Sequence, residues 1–433
     1  MRARSRELFG LVVAGLIASV ALASVTLARD SELSPGALTW GALLLCLYLV
    51  AHVVVRATAP YADGALLPLA AVLTAFGVVS IYRLDTADGS RQAVWVAVGV
   101  AVLCAALVAL RHDYRVLEAY RYLFGVSAVL LLLLPSIPGL GQRVNGVRLW
   151  VDVGPLQFQP GELAKICLIV FLAGYLREKR EVLAQGRLKD VGPLLAIWGA
   201  AMLVIVQTND LGSALLNFGI FLGMLYVATG RALFVAIGLG LFVAGAAVLY
   251  NAIEHVQERV TIWLHPWTDE KVYCALNGRL ELRQDCASYQ LVKSLYSIAN
   301  GGFGGTGLGR GTFENTDGTT LIPYLRTDFI FSAIAQELGL MGAAALLLVV
   351  MLFVIRGMRV AVQAQDGFSK LLAAGLTFGF ALQAFIIVGG VLRVVPLTGI
   401  TLPFVSYGGT SIVANFLLLA GLLLVSSRAN RPR

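Results

Sequence analysis

About twelve apolar stretches, each near the length that crosses a bilayer, run through this chain from one end to the other. A hydrocarbon core is roughly 30 Å thick and takes about 20 apolar residues as a helix. The stretches fall at residues 8–28, 37–55, 65–81, 93–110, 123–134, 163–176, 193–206, 211–229, 232–250, 329–355, 371–391 and 411–425. The fifth and seventh are short, so their ends are the least defined. Lipid offers no hydrogen-bond partner to a backbone N–H or C=O, so every stretch is expected to be a helix. Only 13% of the 433 residues are charged, against about 25% in soluble domains. The fold class expected is an all-α polytopic membrane protein of about twelve transmembrane helices, with a large loop between the ninth and tenth.

Orientation follows from the Lys and Arg residues in the connections, which stay on the cytoplasmic side. The connections after even-numbered stretches carry Arg56, then Arg111, Arg115 and Arg121, then Arg177, Lys179, Arg180, Arg187 and Lys189, then Arg231, then Arg356 and Arg359. Arg2, Arg4 and Arg6 at one terminus and Arg428, Arg431 and Arg433 at the other fall on the same side. Both termini are therefore expected in the cytoplasm. The net charge of +8 suits an anionic inner leaflet and calls for no nucleic acid. The first stretch is long and lacks a small-residue cleavage site, so it reads as a retained helix.

Function in such a protein is expected where polar residues interrupt the bundle. The unusual residues lie in the external connections: 145–165, 207–212, 251–328 and 396–409. Glu162 and Lys165 sit one helical turn apart, as an ion pair or as part of a site. Asp210 reads as a helix cap or a site carboxylate. Several such groups converging on one face favour the functional reading. Cys274 and Cys286 share the largest external loop, where a disulfide can persist; Cys46, Cys104 and Cys167 lie in apolar stretches as small hydrophobes. The glycine run at 301–309 follows no strand and reads as a flexible turn rather than a dinucleotide loop. No zinc spacing appears among the four His residues, which leaves acid–base carboxylates and cationic clamps.

The stretches NGVRLW, FQPGELAK, NDLGSALL, TDFIFSAIAQELGL, PLTG and LPFVSYGGTS, in this order, resemble the SEDS family of cell-wall polymerases (RodA, FtsW, SpoVE). The resemblance covers residue 65 to the C-terminus, the family's ten-helix core, and leaves 1–64 as an added helix pair. Gly161 and Asn209 depart from the family's common residues, as do 322–326 and Arg393; the QPGE and NDLG versions lean towards RodA, in a high-GC Gram-positive form. The resemblance implies a glycosyltransferase that polymerises lipid II into glycan strands outside the cell membrane, paired with a class B penicillin-binding protein.

The family's catalytic aspartate lies in a Pro-x-x-Asp-Pro-x-Gly-x-x-Tyr-Gln pattern. Here the start matches at 265–269 and the end at 288–290, with an insertion carrying both cysteines between. Asp269 is the expected base and Asp285 its rival. Inversion at the donor's anomeric carbon needs one base. The pyrophosphate leaving group needs cations rather than a proton. Arg148, Lys165 and Arg326 are the candidates, or a divalent cation (Mg2+ or Mn2+); no organic cofactor is implied. Glu162 and Asp210 would orient these cations, Ser406 would contact substrate, and Asp328 and Glu337 would support. The alternatives are a flippase for lipid-linked precursors, which needs polar residues at mid-helix, and a non-catalytic scaffold of the synthesis complex.

Overall fold

The computed structural model describes residues 2–30, 35–144, 147–153, 156–180, 192–208, 210–274, 279–314 and 320–432. Among these, each apolar stretch becomes a helix. They are α1 (Arg2–Asp30), α2 (Pro35–Thr58), α3 (Leu66–Leu84), α4 (Thr86–Ala109), α6 (Arg121–Leu133), α7 (Pro160–Glu178), α8 (Gly192–Gln207), α9 (Leu211–Thr229), α10 (Ala232–Ala252), α13 (Ile330–Gln363), α14 (Gly367–Val391) and α15 (Gly409–Ala429). Three further helices lie in the connections: α5 (Val116–Ala119), α11 (Glu254–Leu264) and α12 (Tyr289–Gly301). By length and composition nine described helices can cross a membrane, and two shorter apolar ones accompany them. α7 completes the set; its charges sit at its ends, as Glu162 and Lys165, and Arg177 and Glu178.

Both termini lie at one end of the bundle. Arg4 donates to the carbonyls of Pro60 (3.2 Å) and Ala59 (3.3 Å), while Ser426 Oγ accepts from the Asp63 N–H (2.9 Å) and Asn430 donates to the Tyr61 carbonyl (3.2 Å). The same α2–α3 turn is thus gripped by both ends of the chain. The opposite end, called here the loop end, carries two small sheets beyond the all-α expectation. One is β1 (Gly141–Val144), β2 (Val147–Val153) and β3 (Leu156–Phe158), antiparallel throughout; the other is the hairpin β4 (Lys271–Cys274) and β5 (Arg279–Leu282). Non-helical backbone closes its own hydrogen bonds this way outside the hydrocarbon.

One continuous core runs from Leu11 to Val425, so α1 and α2 belong to the same packed body, lying against α3 and α4. At its centre stand Phe353, Phe380, Phe404 and Phe416, with Phe353 and Phe380 centroids 4.4 Å apart and Phe404 and Phe416 edge to face at 5.4 Å. Phe404 comes from the non-helical segment 400–408, which dives inward: Leu402, Phe404, Val405 and Ser406 are buried. Gly77 on α3 admits it, since a Cβ there would strike the Phe404 and Val405 carbonyls. Between membrane helices close packing, not water, supplies the attraction, and small residues permit it. α10 is the opposite case, with Gly238 its one buried residue.

The glycine run is a correction to the sequence reading. It is not a loose turn but docks onto a break in α13 at Gly339 (φ 66°). Thr306 and Gly307 donate to the Gln336 and Glu337 carbonyls (both 3.0 Å), and Leu340 donates to Gly302 (2.9 Å). The break frees the carbonyls that the run then satisfies.

Candidate active site

α7 opens with Pro160, whose missing N–H costs nothing at a first helical position. Its first turn brings Glu162 and Lys165 onto one face. Lys165 is buried and donates to Glu162 Oε2 (2.8 Å) and to Gln383 Oε1 of α14 (2.5 Å). Gln383 Nε2 donates to the Thr401 carbonyl (2.9 Å) and to Glu162 Oε1 (3.3 Å). Thr401 Oγ1 reaches Glu162 Oε1 (3.3 Å) and Ser411 Oγ of α15 (2.7 Å). A buried ammonium is tolerable only when it is paired and hydrogen-bonded, and this network, spread over three helices, gives it a carboxylate and an amide oxygen.

Asp210 caps α9, accepting from the Ser213 N–H at 2.9 Å. Arg259 on α11 donates to the Leu397 carbonyl (3.0 Å). Its charge is shared between Asp210 and Asp328, whose Oδ2 lies beside Gly399. Burial raises Asp210 above the ordinary carboxylate range against the pull of Ser213 and Arg259. Burial likewise pushes Asp328 up to about 6, opposed by the Thr327 hydroxyl and Arg259. The same desolvation pulls Arg259 below its usual value. Gln159, Gly161, Glu162, Lys165, Asp210, Ser213, Asn217 and the 399–401 segment enclose a cavity of about 20 Å³, room for a water or two.

Asp269 is exposed, two residues beyond Trp267. The approach to it is latched to the 393–399 segment. Arg393 donates to the Trp263 (3.0 Å) and Leu264 (3.1 Å) carbonyls, Trp263 Nε1 donates back to the Arg393 carbonyl (3.0 Å), and the Arg393 guanidinium covers the Trp267 ring at 5.1 Å. That segment continues into the cavity wall, so Asp269 is tethered to the same loop that encloses Glu162 and Lys165. The insertion beyond it is the β4–β5 hairpin. Its register closes at Lys271↔Leu282, Arg283 pairs with Glu270 (2.7 Å), and Cys274 and Cys286 are joined with Cα atoms 5.7 Å apart. Asp285, also exposed, follows directly. The motif split in sequence is closed in space, with one aspartate on each side of the hairpin base.

Other predicted residues stand elsewhere. Arg326 is held by Asp85 (2.6 Å) and Asp88 at the start of α4, away from the cavity lining. Ser406 is buried in the inward segment, donating to the Thr327 carbonyl (2.5 Å) and accepting from the Leu402 N–H (2.9 Å). Glu337 is buried against Arg83 (2.9 Å). Arg148 lies exposed on β2 and pairs with no carboxylate among the described residues. Asn145, Gly146 and Asn209 lie outside the described residues. Among the described residues no three His, Cys, Asp or Glu side chains gather to hold a metal ion. Sequence reasoning missed Arg259, Gln383 and Thr401. A lone Gln within an apolar helix and an Arg ten residues before Asp269 were the available signals.

Comparison with known proteins agrees with this architecture. The family model for FtsW, RodA and SpoVE cell cycle proteins matches residues 62–431. The chain is 39% identical, over 99% of its length and 92% of the relative, to the peptidoglycan glycosyltransferase RodA of Mycobacterium tuberculosis H37Rv. It is 34% identical to the stage V sporulation protein E of Bacillus subtilis, over 83% of this chain and 93% of that one. A solved chain of a peptidoglycan synthase complex that coordinates polymerization and crosslinking superposes with a TM-score of 0.68 at 28% identity, covering 85% of this chain and 98% of its own. The chain therefore belongs to the FtsW/RodA/SpoVE family.

Proposed function

We propose that this chain is a peptidoglycan glycosyltransferase that polymerises lipid II at the outer face of the cytoplasmic membrane, with Asp269 as its base. The observation that carries the site assignment is the latch of Arg393 on residues 263–267. It ties an exposed aspartate to the loop that walls the Glu162, Lys165 and Asp210 cavity. The basic connections lie at the termini end, which orients that end to the cytoplasm and the loop end outward.

The acceptor hydroxyl loses its proton to Asp269 as its oxygen attacks the donor's anomeric carbon. The bond from that carbon to the pyrophosphate oxygen breaks, inverting the centre, and the lipid pyrophosphate departs as an anion. An exposed base on a tethered loop can follow a growing strand, while pre-placed cations stabilise the departing charge without reorganising. Lys165 and Arg259, held by Glu162, Asp210 and Asp328, are fixed cations in and behind the cavity wall, and Arg148 is an exposed cation at the loop end. The described donor set forms no carboxylate cage, so a Mg2+ or Mn2+ ion would have to arrive with the pyrophosphate. The partner proposed is a class B penicillin-binding protein that cross-links the product.

The test is glycan-strand formation from purified lipid II with the cognate transpeptidase. Wild type and Asp285→Asn should make polymer, and folded Asp269→Asn should lose activity by a factor of about 10² or more. Polymer from Asp269→Asn with none from Asp285→Asn would move the base to Asp285. No polymer from wild type would favour a flippase or a scaffold.

A further inference from the structure

A second cleft opens at the termini end and plays no part in the chemistry above. It measures about 520 Å³ and is lined by Asp113, Arg115, Val116, Glu118, Arg177 and Asp366. That size falls in the range of small-ligand pockets, roughly 300–1,000 Å³. Its wall is built from the α4–α5 turn, the end of α7 and the start of α14, with the end of α15 alongside.

The charges alternate. Asp113 is bound by Arg115 (3.0 Å) and by Arg428 (2.9 Å), and Arg177 pairs with Glu118. Asp366 caps α14, accepting from the Ser369 N–H (2.9 Å) and hydroxyl (2.7 Å). The three arginine side chains remain 40–47% exposed. A guanidinium has five N–H donors, and these pairs use only some of them. Acids outnumber bases in the lining, three to two, so a purely anionic ligand is disfavoured and a purely cationic one meets the arginines. Beside the cleft Val116, Tyr120, Tyr122 and Leu123 are exposed, an apolar and aromatic surface of the kind found at membrane–water boundaries.

We propose that this cleft binds the headgroup of an aminophospholipid. The phosphate lies against Arg115 and Arg177, the ammonium against Glu118 and Asp366, and the acyl chains run along the apolar face of α5 and α6. Charges of both signs in one cleft, next to an exposed apolar surface for tails, favour a lipid over a soluble zwitterion.

The test is lipid retention by the detergent-purified full chain, read by native mass spectrometry with phosphatidylethanolamine and phosphatidylglycerol as probes. Asp366→Asn removes a charge while keeping a side chain that caps helices well, and Glu118→Gln breaks only a partly exposed pair. Thermal unfolding confirms that each variant is folded. Wild type should retain phosphatidylethanolamine over phosphatidylglycerol by about threefold or more, a difference of at least about 0.6 kcal/mol. The Asp366→Asn, Glu118→Gln double variant should lose that preference, and Arg115→Gln with Arg177→Gln should retain less of both lipids. Equal retention of the two lipids by wild type, or a preference that survives in the carboxylate variants, would overturn the proposal.

Discussion

The same three helices carry polar clusters at both ends, and the two clusters are built on opposite plans. At the loop end α7, α14 and α15 contribute Glu162, Lys165, Gln383 and Ser411, packed into a network around a cavity of about 20 Å³. At the termini end they contribute Arg177, Asp366 and Arg428, on a cleft of about 520 Å³ or beside it, with exposed guanidiniums. The first arrangement fixes geometry and leaves almost no room; the second leaves donors free and room for a guest. Charge at a membrane protein's edge serves rigidity or access, and burial decides which.

Substitutions sharpen that contrast. Lys165→Met leaves Glu162 with an unpaired buried charge and Gln383 with an unmet acceptor, so we expect a loss of about 3–5 kcal/mol in stability and loss of polymerisation. Thermal unfolding in detergent measures it, and adding Glu162→Gln should recover part of the loss because the two residues share one network. A Lys165→Met protein as stable as wild type would break the comparison.

The next effect is a pH dependence. Folded Asp328 keeps its proton up to about pH 6, whereas an unfolded aspartate releases it near 3.8. The folded chain binds more protons in that window, so stability falls as pH rises through it, by up to about 3 kcal/mol. Unfolding temperatures between pH 4 and 7 should show the decline, and Asp328→Asn should flatten it. The smallest effect belongs to the other end: Arg177→Gln breaks a partly exposed ion pair and should change stability by less than about 1 kcal/mol.

Much of this was legible in the chain. Twelve apolar stretches became twelve helices because lipid leaves a backbone no other spanning form here. The Glu162–Lys165 pair and the Cys274–Cys286 bridge were readable because their members are close in sequence. What was not legible depends on partners far away. Gln383 completes the Lys165 site from more than 200 residues on, and Arg326 looked free until Asp85 and Asp88 met it. Ser406 resembled a surface loop residue because nothing local says that 402–406 turns inward. That turn is set by the space Gly77 leaves. The glycine run was misjudged for a similar reason: its partner is a broken helix turn that sequence spacing does not announce.

The β4–β5 hairpin is closed at its base by strand register and by Glu270 with Arg283, and the Cys274–Cys286 bridge ties the far end of β4 to the residue that follows Asp285, so the two flanks are not coupled to the hairpin alike. Reducing the bridge would release the Asp285 side of the loop while strand register and the Glu270–Arg283 pair still hold the Asp269 side, which makes the redox state of the surroundings a lever on one aspartate and not the other.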